Sequence, residues 1–402
     1  METQDRMDVD FRQLLDENVA TVHVRENLER KLRSGRPLRV KMGFDPSAPD
    51  IHLGHYVGLK KMRQFQELGH TIVVIIGDWT AQIGDPSGRS AQRKMLGPDA
   101  VRANAQTYLD QFFKVVDEER AEIRWQSSWF GSFDLADVLR LTSKFTVAQM
   151  LQRDDFEKRY AGGSPIGIVE FLYPLLQAYD SVAVQADVEM GGTDQTFNLL
   201  VGRDIQREMG QTPQDILTVP ILVGLDGEIK MSKSLSNYVG IDEDPNQMYG
   251  KLMSIPDTVI ETYLRLVSDI PAARIDEMTQ GIANGTEHPR DVKDTLAADV
   301  VRIFHGEDAA ARAREEFSRI FREHQAPSDM PEVQVDVPAT IVSLILQAGL
   351  AASNNEARRL VQQGGVRLDG EKVAGVEGDL DFVSPAVLQV GRRRFARLVP
   401  NA

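Results

Sequence analysis

Two short runs rich in β-branched residues, LRVKMGF at 38–44 and TIVVIIG at 71–77, are separated by a stretch that places Gly58, Met62, Phe65 and Gly69 at helical spacing. The runs have the character of buried strands and the stretch between them that of an amphipathic helix, so 38–77 predicts a strand–helix–strand unit. Strands at 121–125, 184–190 and 216–223, with helical stretches at 101–116 and 193–209, continue the alternation. The pattern predicts an α/β fold built on a doubly wound parallel sheet. In such sheets ligands bind beyond the carboxyl ends of the strands, so loops 44–55, 77–90, 190–195 and 224–236 are expected to meet at one crevice.

After about residue 240 the strand pattern gives way to charged amphipathic helices over 245–325, including ADVVRIFHGEDAAARAREEFSRIF. The Pro-containing stretch 325–338 has few large apolar residues and reads as a linker. Beyond it, IVSLILQAGL reads as a helix, SNNE at 353–356 as a capping box with Ser353 as N-cap, and VRL-DG-EKV as a hairpin turning at Asp369 and Gly370. The expected division is therefore 1–240, an α/β domain; 241–324, a helical domain; 325–338, a linker; and 339–402, a small α+β module.

Length agrees, since 402 residues at ~100–200 per domain give two or three domains. The chain has no cysteine, which excludes disulfides, thiolate zinc sites and thiol nucleophiles. The net charge is −14, but residues 339–402 carry eight Lys/Arg against six Asp/Glu, so the tail is the better nucleic-acid surface. No apolar stretch is long enough to span a bilayer, and the opening METQDRMDVDFRQLLDENV shows no secretory leader, so a cytoplasmic location is expected.

Two motifs carry chemistry. GFDPSAPDIHLGH at 43–55 ends a strand and opens a helix, setting His52 and His55 one turn apart with Gly54 between them. That position favours phosphate, and Gly54 lets a base or ribose approach the backbone. A solvated HxxH is the alternative, and a metal site would need a third ligand that is not seen. KMSKS at 230–234 sets Lys230 and Lys233 three residues apart on a small polar loop able to close over a leaving pyrophosphate. A lone KxxK is ordinarily a solvated charge pair; the two motifs together, flanking the sheet, are a two-part grip on a triphosphate. Tyr173, Gln177 and Asp180, spaced four and three apart, share a helix face that lines either a pocket or the surface. GDPSGR at 84–89 does not fit the Walker A spacing and by itself is a tight turn.

With His52-Leu53-Gly54-His55 and Lys230-Met231-Ser232-Lys233-Ser234, the chain resembles the class I aminoacyl-tRNA synthetases. IGDPSGRS (83–90), YPLLQAYD (173–180) and MGGTDQ (190–195) narrow the resemblance to the bacterial tyrosyl-tRNA synthetases, and the tail resembles the S4-like RNA-binding domain that those enzymes carry. The resemblance implies a Rossmann-like catalytic domain, then a helical domain and the S4-like module. It implies tyrosine activation by ATP, with Mg²⁺ as the ATP counter-ion, transfer to tRNA(Tyr), and a homodimer.

It also implies roles by position. His52, His55, Lys230 and Lys233 are the catalytic set. Asp45, Ser47, Gly54, Arg89, Arg93, Gly192, Asp194, Met231, Ser232 and Ser234 attend ATP, with Asp45 also on the amino-acid side. Asp85, Tyr173, Gln177, Asp180 and Gln195 hold tyrosine, Asp180 accepting the phenolic hydrogen. Arg358, Arg359, Arg367, Arg392, Arg393 and Arg394, with Arg397, form a basic face for tRNA. Two positions depart from the family: Lys41 stands where a tyrosine often reads the substrate hydroxyl, and Met42 where a cysteine is often found. Tryptophanyl-tRNA synthetase, a nucleotidyltransferase making a small adenylated metabolite, and a non-catalytic synthetase-derived RNA-binding protein are the rival readings.

Overall fold

The structure is a computed structural model that describes residues 11, 13–46, 50–86, 97–321, 330–391 and 394–401. By internal contact the chain divides into two units between Gly306 and Glu307.

The first unit is built on a six-stranded sheet of β1 (Thr21–His23), β2 (Arg39–Phe44), β3 (Thr71–Ile76), β4 (Ala121–Trp125), β5 (Val188–Gly192) and β6 (Asp215–Val219). The order is β1-β6-β5-β2-β3-β4. Strands β2 to β6 pair in parallel, β2 lying against both β3 and β5, while the edge strand β1 runs antiparallel to β6. The chain winds outward in both directions from the β2/β5 pair, which is the switch point where such sheets bind ligands. Burial on both faces explains why β3 reads TIVVII without alternation. The short edge β1 was not expected from the sequence, because three residues carry too little pattern.

Helix α1 (Leu53–Glu67) joins β2 to β3 and buries Leu53, Tyr56, Val57, Leu59, Met62 and Phe65. A Cβ on Gly58 would lie 2.9 Å from Cε of Met42, so glycine lets helix and strand approach there. Helices α2 (Ile168–Ala183) and α3 (Thr196–Glu208) flank β5 in sequence. The expected strand at 184–190 begins later, at Val188, because residues 184–187 complete the end of α2 and a turn in which Gln185 has φ 51°. Helices at Pro245–Met253, Ile260–Val267, Ala272–Asn284 and Pro289–His305 complete the unit. Gly306, at φ 84°, separates the last of these from Glu307–Phe321, so ADVVRIFHGEDAAARAREEFSRIF is divided between two helices.

In the second unit a five-stranded sheet runs in the order Glu371–Lys372, Val366–Leu368, Ala386–Val390, Arg394–Pro400, Glu332–Val335. Two helices, Ile341–Gln347 and Asn354–Gln362, pack on it over Leu344, Ile345, Val361, Leu388 and Leu398. The Ser353 side chain accepts the Glu356 N–H as expected, but Glu356 returns to the N–H of Ala352 rather than that of Ser353. The hairpin turns at Asp369 and Gly370, both at positive φ, as a two-residue turn requires. Within the stretch read as linker, Glu332–Val335 is a strand, paired in parallel with Arg394–Pro400. Pro331 and Pro338 bound this strand rather than interrupt it, and the alternation of EVQV puts Val335 in the core.

Candidate functional site

The carboxyl ends of β2 and β5 release the chain at Asp45 and Thr193, and the two sequence motifs meet beside them. Among them His52 is the N-cap residue of α1, and the backbone that follows KMSKS lies against it: Leu53 N–H donates to Val239 O (2.9 Å), Ile241 N–H donates to Ile51 O (3.0 Å), and His52 bridges Gly240. A Cβ on Gly54 would sit 3.6 Å from Cβ of Met231, an ordinary contact that shows how closely the two loops approach, and 3.0 Å from the His52 ring, which would have to give way.

The imidazoles of His52 and His55 stack with centroids 3.9 Å apart, and Nδ1 of His55 accepts the His52 N–H at 3.3 Å. Burial, reinforced by the nearby Lys233 and Lys230 ammonium groups, drives the His55 pKa down to about 3; His52 is lowered further by burial, by His55 and by the same lysines. Both rings are therefore neutral near pH 7, and each carries one N–H to donate. Lys233 pairs with Asp50 at 3.3 Å and Lys230 with Asp194, the latter lysine 57% exposed. Burial lowers the Lys233 pKa against the opposing pull of Asp50.

Asn237 organises the KMSKS loop. Its Oδ1 accepts the Ser232 N–H (2.8 Å) and its Nδ2 donates to Asp226 (2.6 Å), which itself accepts the N–H groups of Glu228 and Ile229. Met231 is buried, and the Ser232 and Ser234 hydroxyls lie 2.9 Å apart.

The face of α2 lines the other side. Tyr173 OH donates to Asp45 Oδ2 (2.9 Å), whose second oxygen accepts from Thr80 (2.6 Å). Asp85 accepts from Gln195 Nε2 (2.7 Å) and pairs with Arg153 (3.3 Å); Asn198 joins Gln195 to Gln177 by two further bonds. Deeper in, Asp180 is 1% exposed and accepts from Gln126 Nε2 (2.8 Å) and Trp129 Nε1 (3.2 Å). Burial raises its pKa to about 7, against the opposing charge of Lys41 and the hydrogen bond from Gln126. Each Asp180 oxygen keeps a free lone pair, so the group can accept one more hydrogen bond. Gly192 is held close to the Asp194 carboxylate, where a Cβ would lie 2.7 Å from Oδ1.

The structure thus brings His52, Gly54, His55, Lys230 to Ser234, Asp45, Asp85, Tyr173, Gln177, Asp180, Gly192, Asp194 and Gln195 into two linked sets of contacts near the carboxyl ends of β2 and β5. Ser47, Arg89 and Arg93 lie outside the described residues, as do Arg392 and Arg393 of the tail. Gln126 and Trp129 were missed, although QSSWF follows β4 directly and the carboxyl-end rule applies to it as well. Among the described residues no three His, Asp or Glu side chains are grouped to hold a metal ion.

A family model described as tRNA synthetases class I (W and Y) matches residues 33–322. The chain belongs to that class I synthetase family. Residues 323–384 match the tyrosine–tRNA ligase SYY-like C-terminal domain. The tyrosine–tRNA ligase of Dehalococcoides mccartyi is 52% identical over 389 residues, covering 96% of this chain and 98% of that protein. That of Thermotoga maritima is 51% identical over 385 residues, covering 96% of each. Among solved structures, the tyrosyl-tRNA synthetase from Archaeoglobus fulgidus complexed with L-tyrosine shares the fold, with a TM-score of 0.62 at 24% identity over 77% of this chain and 99% of that one.

In this synthetase the tail arginines differ in their surroundings. Arg358 and Arg359 are exposed on the capped helix, and Arg367 faces Lys372 across the hairpin. Arg394 donates to Leu350 O (2.5 Å) and lies 3.6 Å from Glu356, while Arg397 pairs with Glu332 (3.3 Å).

Proposed function

We propose that this synthetase is a tyrosine–tRNA ligase that activates L-tyrosine with ATP and transfers it to the 3′-terminal adenosine of tRNA(Tyr). The observation that carries the reading is the meeting of the HLGH and KMSKS loops at the carboxyl ends of the central strands, in the same unit as the buried Asp180 carboxylate and its Gln126 and Trp129 donors. The tyrosine carboxylate, ionised at neutral pH, attacks the α-phosphorus; the new C–O–P linkage forms as the α–β bridging bond breaks and pyrophosphate leaves. The terminal ribose hydroxyl of tRNA then attacks the acyl carbonyl, its proton passing to the phosphate of the departing AMP. Neither step is asked to find a strong side-chain base, so acceleration comes from positioning and charge stabilisation.

His52 and His55, as neutral donors, meet phosphate and ribose oxygens at the head of α1. Lys233 and Lys230 meet the departing pyrophosphate, Lys230 exchanging its present partner Asp194 for phosphate while Asp194 turns to the ribose. Asp45, Ser47, Arg89, Arg93, Met231, Ser232, Ser234 and the close backbone at Gly54 and Gly192 complete the nucleotide side. Asp85, Tyr173, Gln177 and Gln195 receive the ammonium and carboxylate of tyrosine, and Asp180 takes the phenolic hydrogen. A phenylalanine would leave that carboxylate without its partner, the discrimination for which tyrosyl enzymes are the standard worked example. Magnesium accompanies ATP as counter-ion. The tail binds tRNA through Arg358, Arg359, Arg367 and Arg392 to Arg394, whose guanidinium groups suit phosphate oxygens.

We assign the active form as a cytoplasmic homodimer. No helix among the described residues is long and apolar enough to cross a membrane. Leu135 (73% exposed), Leu139, Val147 and Ile168 (82% exposed) offer apolar side chains to a second copy, Leu135 and Leu139 from one face of a helix. ATP–pyrophosphate exchange with each of the twenty amino acids tests the assignment. Exchange supported by tyrosine alone is expected; exchange with tryptophan, or with none, overturns it.

A further inference from the structure

Lys41 is in the middle of β2 and fully buried, as is Glu189 on β5, and the two form an ion pair of 2.7 Å. A lysine ammonium has three protons, and all three are engaged: with Glu189 Oε1, with Ser181 Oγ at 2.9 Å and with the carbonyl of Gln177 at 3.0 Å. Lys41 therefore has no proton left for a substrate hydroxyl. Glu189 is equally committed. Its Oε2 accepts from Ser181 Oγ at 3.0 Å and from the Gln214 amide, and its Oε1 lies 3.5 Å from Nε2 of Gln177. Gly202 of α3 closes the cluster, since a Cβ there would come within 2.7 Å of Gln214 Nε2 and 3.0 Å of Glu189 Oε2.

Replacing a buried pair of this kind with apolar residues is often neutral or stabilising, so stability gives little reason for it to be here. Its location does give one. The ammonium ties down the turn Gln177–Ser181 of α2, the turn that carries both the Gln177 side chain and Asp180, and it fixes that turn to the two central strands of the sheet. We propose that the Lys41–Glu189 pair is a positioning device for side-chain recognition, holding Asp180 and Gln177 at the geometry that accepts tyrosine and rejects phenylalanine. The inference rests on the assignment of Asp180 and Gln177 to tyrosine binding. Lys41 is a positioning residue, with no contact to substrate.

The test is exchange kinetics on the full chain with tyrosine and phenylalanine, alongside thermal unfolding, for the charge-neutral double variant Lys41→Met/Glu189→Gln and for Ser181→Ala. The double variant removes both charges together and so avoids stranding one of them. The expected result is a rise of about tenfold in the tyrosine KM, with kcat at saturating tyrosine within about twofold and the tyrosine-to-phenylalanine ratio of kcat/KM falling about tenfold. Ser181→Ala, which removes the Ser181 bonds to Lys41 and Glu189 and leaves the Lys41 bond to the Gln177 carbonyl, shifts the same quantities in the same direction by a smaller factor. A purely structural pair would change the unfolding temperature and leave the ratio alone. A folded double variant with the parent ratio overturns the proposal, and should the double variant fail to fold, an unchanged ratio in Ser181→Ala does so. Asp180→Asn separates the two ideas: if it leaves the ratio unchanged, the tyrosine-site reading fails; if it collapses the ratio while Lys41 and Ser181 variants do not, only the present inference fails.

Discussion

Asp180 combines near-complete burial with two donated hydrogen bonds, and the balance leaves its pKa at about 7, well above that of an ordinary aspartate. Only the ionised form is a pure acceptor for the phenolic hydrogen. The ionised fraction grows as pH rises through the pKa, so the tyrosine KM falls as pH is raised from 6 to 8, by about tenfold if Asp180 alone governs it. The KM for phenylalanine, which has no hydroxyl to donate, stays flat over the same range. Steady-state exchange measured across that pH range checks both statements, and a flat tyrosine profile contradicts them. The histidines give no such step, because burial has already moved the His55 transition to about 3 and that of His52 lower still.

At the scale of elements, the KMSKS loop is as well ordered as Asn237 makes it. Removing that side chain in Asn237→Ala leaves the part-buried N–H of Ser232 without its acceptor and releases the exposed Asp226 carboxylate to water, so the loop loses the link that orders it. If the ordered loop is the reactive one, exchange kcat falls about 5- to 100-fold while the tyrosine KM and the unfolding temperature change little; a matched fall in unfolding temperature would show a general packing defect. Asn237 lies three residues beyond the motif, and nothing in its spacing marks it. That contrast runs through the chain. Strands β2, β3 and β4, helix α1 and the capped helix at Ser353 were legible because local pattern and tertiary burial agree there. The strand Glu332–Val335 was hidden by its flanking prolines, and β1 by its brevity. HLGH and KMSKS were legible because glycine, imidazoles and amines stand at fixed spacing. Gln126, Trp129, Arg153 and Glu189 carry no local signature; the fold brings them together from separate elements, and only for Gln126 and Trp129, just after β4, did position after a strand hint at it.

For the whole molecule, the division of labour between units yields two expectations. Arg358→Glu with Arg359→Glu reverses charge on an exposed helix face without touching the core, so tyrosine-dependent exchange persists while tRNA charging falls, most steeply as salt is raised. Unimpaired charging by that variant removes the tail from the account of tRNA binding. Truncation is a poorer probe if cut near 335, since it would strip Arg394–Pro400 from its partner Glu332–Val335. Leu139→Asp places a charge in the exposed apolar patch, and sedimentation is expected to show a dimer for the parent chain and a larger monomer fraction for the variant.

The most direct measurement is the single-turnover rate of tyrosyl-adenylate formation in His55→Ala, Lys233→Ala and the combined variant. These residues stand 178 positions apart in the chain. If they act on one triphosphate, each single change slows the step by about 10²–10³ with tyrosine affinity retained, and the combined loss departs from the product of the two. Parent-like rates in either single variant would contradict the shared grip on which the whole account stands.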